Sequence, residues 1–110
     1  MFEQGDIVIA PFPFTDLSTI KQRPCFIISN NNYNRKTQDV MICAITSNLE
    51  NKENSVLIDS SSLKEGTIPL KSRIKVGKIY TLEQSLIIKK VASTKKEISE
   101  SVKEELFKIL

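Results

Sequence analysis

The sequence predicts a mainly β fold: a small, curled antiparallel barrel closed by one C-terminal helix. Three observations carry this. Short apolar, β-branched runs recur between residues 6 and 92, separated by segments rich in Pro, Asn, Asp and Ser. Hydrophobic residues take up helical spacing only near the C-terminus. A length of 110 residues fits one domain, 1–110, with a single modest core.

The elements follow in order. DIVIA (6–10) reads as a strand ending at Pro11. PFPFTDLSTIKQ (11–22) reads as a loop, because Pro11 and Pro13 cannot donate to a ladder and Thr15, Asp16 and Ser18 favour turns. PCFIIS (24–29) is a strand with Pro24 at its tolerated first position, and NNNYNRKTQD (30–39) is a second loop. VMICAITS (40–47) has the length and continuous apolar character of a strand covered on both faces. SVLID (55–59) is a short strand. In RIKVG (73–77), Ile74 and Val76 point inward while Arg73 and Lys75 point out. SLIIKKVA (85–92) is the last strand. Thr94 and Glu97 then fit a capping box, and Ile98, Val102, Leu106 and Ile109 form the core stripe of a helix at about 95–109.

Composition excludes several chemistries. The chain has no histidine, which removes Ser-His-Asp and Cys-His nucleophilic sites and the commonest metal ligand. With only Cys25 and Cys43, no zinc site of the usual ligand count can be built, so no metal or other cofactor is expected. Both cysteines sit in apolar strand-like runs and read as reduced core residues. The longest apolar run, residues 40–45, is too short to span a bilayer, and Glu3 and Asp6 stand where a signal peptide carries positive charge. A cytoplasmic protein is expected.

Charge is uneven. The net charge is +3, but residues 64–96 hold nine Lys/Arg against two Glu, a local +7. Such a stretch could meet phosphates or an acidic protein segment, but composition alone favours a solvated lysine face.

Two places combine polar residues with strand ends. At Gln22-Arg23-Pro24, an arginine enters a strand; its planar, permanently charged guanidinium suits bidentate phosphate binding. At Thr46-Ser47-Asn48, two hydroxyls and an amide follow an apolar run and could face an oxyanion. Each has an ordinary alternative, a surface arginine and a turn-forming strand end.

The chain resembles the PemK/MazF family of toxins from bacterial toxin–antitoxin systems. The matching stretches are GDIVIAPFPFTD (5–16), RPCFIISN (23–30), Tyr33-Asn34, ICAITSN (42–48) and KIYTLEQSLIIKKVA (78–92) followed by a helix. The resemblance implies an SH3-like barrel with a C-terminal helix, a homodimer, and ribosome-independent cleavage of single-stranded RNA. It implies Arg23 and Thr46 as catalytic residues, with Ser47 and the loop residues 12–22 lining the RNA groove. It also implies a cognate antitoxin whose acidic segment covers that groove, for which 64–96 is a fitting target. Gln22, Gly77 and Tyr80 depart from the family pattern, standing where a basic residue, an acidic residue and an arginine are frequent.

A chain without imidazole can still cleave RNA, because RNA carries its own nucleophile, the 2′-OH. Arg23 suits the stabilisation of charge on the phosphoryl oxygens, and Thr46, Ser47 and Asn48 supply hydrogen bonds to phosphate oxygens or the leaving group. The expected products are a 2′,3′-cyclic phosphate and a 5′-OH. Phe12 and Phe14 flank Pro13 and either stack on unpaired bases or plug the fold. Thr15, Lys21, Gln22, Arg73, Lys75 and the lysines at 89–90 are candidates for the substrate path. Two other classes share the architecture: a CcdB-type toxin that poisons gyrase through its C-terminal helix, and a non-catalytic SH3-like binding module. The matches at Arg23 and Thr46 favour the ribonuclease.

Overall fold

The computed structural model describes residues 1–13 and 20–110. Among them, seven strands form one sheet: β1 (Asp6–Pro13), β2 (Ile20–Ile27), β3 (Asp39–Thr46), β4 (Ser55–Ile58), β5 (Leu63–Gly66), β6 (Ser72–Glu83) and β7 (Lys89–Thr94). Helix α1 (Asn31–Lys36) follows β2, and α2 (Lys96–Phe107) is the last element. The strand order is β4-β6-β3-β2-β1-β7-β5, with every pairing antiparallel.

That order forces the sheet to curl. β4 and β5 are its two edges, yet only residues 59–62 join them. Laid flat, the edge strands would stand roughly 29 Å apart. The short connection spans at most about 18 Å fully extended. The expected curled antiparallel architecture with a C-terminal helix is therefore present.

The central strands are buried on both faces. Ile7, Phe26, Cys43, Ile45, Val56, Ile58, Ile74, Val76 and Ala92 gather on one face with Val102 of α2. Val8, Ala10, Cys25, Ile27, Val40, Ile42 and Leu82 gather on the other. Neighbouring residues of each central strand alternate between the two clusters, as a period of two requires. This is why 40–47 reads as a continuous apolar run. Ile74 and Val76 are fully buried and Arg73 and Lys75 are not, as the alternation predicts.

Several boundaries differ from the sequence expectation. β1 runs through Pro11 to Pro13, paired with Gln22 and Ile20. Ile9 faces its backbone toward β7, accepting from Ile88 N at 2.8 Å. Pro11 and Pro13 share that parity, and β7 pairing stops at Ile9, so neither proline leaves a ladder bond unmade. Pro24 lies within β2, not at its start. The asparagine-rich 30–39 contains α1, whose residues show no apolar period. Asn30 caps it, accepting from Tyr33 N at 2.8 Å, and buried Asn34 accepts from the Ser29 hydroxyl at 2.5 Å. Gln84 Nε2 donates to the Asn34 carbonyl at 2.8 Å, so tertiary bonds hold what local pattern does not specify.

At the C-terminal end, 85–92 splits into a 3₁₀ turn (Gln84–Leu86) and β7, with Leu86 and Ile88 exposed. The expected Thr94/Glu97 capping box is absent. Lys95 is the N-cap residue, and the Thr94 hydroxyl instead donates to the Gly5 carbonyl at 2.8 Å. Ile98, Val102 and Leu106 pack on the core, whereas Ile109 lies past the helix and is half-exposed.

β5 carries no strand pattern in the sequence and is held by pairing with β7. Its last residue, Gly66, has φ +80°, and a Cβ there would run into the Val91 carbonyl and come within 2.6 Å of Ala92 Cα. Gly66→Ala is expected to lower stability by roughly 3 kcal/mol. Thermal unfolding should show a midpoint lower by roughly 15 °C.

Candidate active site

The site begins with a proline. The β2–β3 ladder runs from Ile27↔Ile42 to Cys25↔Ala44. The next backbone nitrogen that β2 turns toward β3 belongs to Pro24, which has no N–H, and the ladder ends there. Beyond it, Arg23 stays paired with Ala10 of β1 while Thr46 pairs with Arg73 of β6. The two strands part, and Arg23 and Thr46 face the gap from opposite sides.

Two clefts meet at that gap, one on each face of the sheet. The first, about 590 Å³, is lined by Arg23 and Thr46 together with Phe12, Pro13, Ala44, Asn48, Asn51, Lys75 and the run Gly77–Tyr80. The second, about 550 Å³, is lined by the same Arg23 and Thr46, then by Gln22, Pro24 and Ser47, by Ile7, Ile9, Ile45, Ile58 and Val91, by residues 67–70, and by Ser72. By strand parity Arg23 and Thr46 project on the side of the first cleft, with Cys25 and Ala44.

Local bonds shape the Thr46 side. Its Oγ1 accepts from Asn48 N at 3.1 Å, which leaves the hydroxyl proton to donate elsewhere. Asn48 Oδ1 accepts from Glu50 N at 3.0 Å, turning the chain away from β3. Arg73 braces this loop: Nε donates to the Leu49 carbonyl at 3.0 Å and Nη1 to Ser55 Oγ at 3.2 Å. Lys75 Nζ reaches the Asn51 carbonyl at 3.4 Å.

The predicted site residues thus separate. Arg23, Thr46, Asn48, Phe12 and Lys75 come together at the first cleft, and Ser47 and Gln22 at the second. Arg73 lines neither cleft, since its guanidinium is turned to the loop. Exposed Lys21, opposite Phe12 in the β1–β2 pairing, lines neither. Phe14 and Thr15 lie outside the described residues. The basic stretch disperses as well: Lys75 and Lys78 reach the first cleft, whereas Lys90 pairs with Glu65 at 2.9 Å and Asp6 at 3.7 Å. Lys89 lines neither cleft.

Sequence reasoning missed Tyr80, Lys78 and Asn51 in the first cleft and residues 67–70 in the second. Asn51 comes from the loop after β3, where its carbonyl accepts from Lys75 Nζ, and a register shift in β6 explains Lys78 and Tyr80. Cys43 pairs with Ile79 and Ala44 with Lys75, so residues 76–78 drop out of the β3 ladder; Val76 turns into the core, and Gly77–Tyr80 line the cleft. Tyr80 meets Phe12 edge to face, ring centres 6.0 Å apart. Its only sequence signal was its departure from the family's arginine.

Cys25 and Cys43 take no part in nucleophilic chemistry. They lie on opposite faces of adjacent strands, are both free and fully buried, and burial pushes each thiol from 9.0 up to about 12. Native protein should resist iodoacetamide at pH 8 and react only once unfolded. A thiol held neutral in the fold but free to ionise in the open chain costs stability as pH rises, so stability should fall between about 9 and about 12.

Among the described residues no group of three or more His, Cys, Asp or Glu is placed to hold a metal ion, and no helix is long and apolar enough to cross a membrane.

Comparison with known proteins gives a consistent picture. No curated protein sequence matches the chain. Among solved structures, an endoribonuclease from Mycobacterial species, in complex with its cognate antitoxin, aligns with a TM-score of 0.78 at 20% identity, over 98% of this chain and 93% of that one. MazF from Deinococcus radiodurans aligns with a TM-score of 0.78 at 17% identity, over 98% and 94%. The Mycobacterium tuberculosis toxin MazF-mt6 gives 0.73 at 16% identity, over 94% and 93%. These similarities establish the fold. A family model described as a PemK-like, MazF-like toxin of type II toxin–antitoxin systems matches residues 3–110, nearly the whole sequence. By that match the chain belongs to the PemK-like, MazF-like toxins of type II toxin–antitoxin systems.

Proposed function

We propose that this toxin is a sequence-specific endoribonuclease that cleaves single-stranded RNA by attack of the substrate's own 2′-OH, with no metal requirement. The observation that supports the reading is the placement of Arg23 and Thr46 in the lining of both clefts, at the gap beyond the point where the β2–β3 ladder ends. A phosphodiester lying over this gap has a cation on one side and a hydroxyl donor on the other.

The step balances without a co-reactant. The 2′-oxygen bonds to phosphorus, the bond from phosphorus to the 5′-oxygen breaks, the 2′-OH loses its proton and the departing 5′-oxygen gains one. Arg23 stabilises the charge that grows on the non-bridging oxygens. Thr46, which still has its O–H to donate, serves the departing oxygen, with Asn48 as a further donor in the same cleft. Proton transfer passes through water. Lys75 and Lys78 give the first cleft a phosphate-attracting wall, and Phe12 and Tyr80 offer aromatic surface for unpaired bases. The same basic cleft suits the acidic segment of a cognate antitoxin, as expected for a toxin whose mycobacterial structural relative was solved with one. We read residues 1–110 as one functional unit that acts as a homodimer.

The test is end-group analysis of a defined RNA cut by purified protein. Fragments should carry 2′,3′-cyclic phosphate and 5′-OH ends, and EDTA should leave the rate unchanged. Ends bearing 3′-OH and 5′-phosphate would refute the mechanism.

A further inference from the structure

We infer that the second cleft, behind the Arg23–Thr46 rim, is a base-selecting pocket that receives one unstacked nucleobase flanking the scissile phosphate. This rests on the ribonuclease reading and extends it to substrate selection.

The two clefts differ in chemistry. Among the described residues, the first has three cations in its lining, Arg23, Lys75 and Lys78. Among the described residues, the second has no charged group in its lining other than Arg23, and that one stands on the rim. A phosphate chain belongs in the first and gains nothing from entering the second. The walls of the second are apolar, with Ile9, Ile45, Ile68 and Val91 prominent, while Gln22, Ser47 and Thr67 supply a few polar groups. An unpaired base needs this combination: apolar contact for its two faces and hydrogen-bonding groups at its edge. At about 550 Å³ the space is ample for one base with its sugar.

The far wall is held in place. Ser72, buried in β6, donates from Oγ to the Leu70 carbonyl at 2.9 Å. Thr67 N donates to the Val91 carbonyl at 3.3 Å. Residues 67–72 are therefore tied at both ends to the sheet, which preorganises the pocket before a ligand arrives. Because both clefts share Arg23 and Thr46, a strand crossing the rim sends its backbone along one face while an adjacent base reaches through to the other.

Thr67→Trp tests this, because Thr67 is exposed and a large ring there fills the pocket without entering the core. The substrates are an RNA that wild type cuts and two copies of it, each with an abasic ribose on one side of the cut. For wild type, removing the base on one side should lower kcat/KM about tenfold. Thr67→Trp should lose about tenfold on intact RNA and lose nothing more on that abasic copy. Gln22→Leu, also at an exposed position, should change base preference at that same side only. Additive losses at both sides overturn the pocket. Should Thr67→Trp fail to fold, unchanged preference in Gln22→Leu overturns it. A wild-type protein that cuts no RNA defeats the ribonuclease reading itself, a result distinguishable from either.

Discussion

Arg23→Ala is expected to reduce kcat for RNA cleavage by roughly 10² to 10³-fold, the usual cost of removing one preorganised donor from a developing oxyanion. The fold should survive. Arg23 belongs to neither buried cluster, so truncating it opens no core cavity, and the β1–β2 pairing around it runs through backbone groups. Arg23→Lys should recover only part of the loss, because an ammonium keeps the charge but not the planar fork that meets two phosphoryl oxygens at once. Thr46→Val should cost less than Arg23→Ala, since it removes one neutral donor and water can reach the half-buried strand end in its place. Single-turnover cleavage with circular dichroism on each variant decides the matter. A folded Arg23→Ala enzyme cutting at the wild-type rate would take Arg23 out of the site.

How far the sequence spoke depends on what each element answers to. β1 to β3 and the inward face of β6 were legible because their apolar residues are fixed by burial, and burial leaves a periodic trace. The Ile98–Val102–Leu106 stripe of α2 was legible for the same reason. α1 was not, because Asn30, Asn34 and Gln84 hold it through specific hydrogen bonds, and asparagines in a row read as a turn. The path of β1 through Pro11 and Pro13 was illegible because the reason lies in a neighbour, the point at which β7 stops. In the site, Arg23 and Thr46 stood out as polar residues bordering apolar strands, and the family resemblance paired them. What surrounds them was hidden. Tyr80 and Lys78 depend on a bulge visible only in the pairing of β3 with β6, and the second cleft depends on residues 67–72 folding back on β7. The +7 stretch shows the converse. Nine cations close together in sequence do not make one surface when Arg73 braces a loop and Lys90 answers Asp6 and Glu65.

An RNA bearing a 2′-O-methyl group on the nucleotide 5′ to the cut is expected to lose cleavage entirely at that bond, while its affinity falls only slightly. The absence of histidine is the reason. A nuclease that attacks with water needs a base to take the water's proton near neutral pH, and imidazole is the side chain whose ordinary titration range suits that work. This chain has none. Its two thiols are buried and titrate only at about 12, far above working pH. The described residues at the gap are an arginine and hydroxyl and amide donors, which stabilise negative charge but do not generate a nucleophile. A site made of such groups accelerates a reaction whose nucleophile is already positioned inside the substrate, as the ribose 2′-OH is, one bond away from forming a five-membered ring with its own phosphate. Methylation leaves the phosphate, the bases and the charge untouched and replaces that oxygen's proton with a methyl group. Loss of cutting with retained binding therefore separates the nucleophile from the phosphate and base contacts. Cleavage of the methylated bond at an appreciable rate would mean that water attacks, and Arg23 and Thr46 would then have to serve a different reaction.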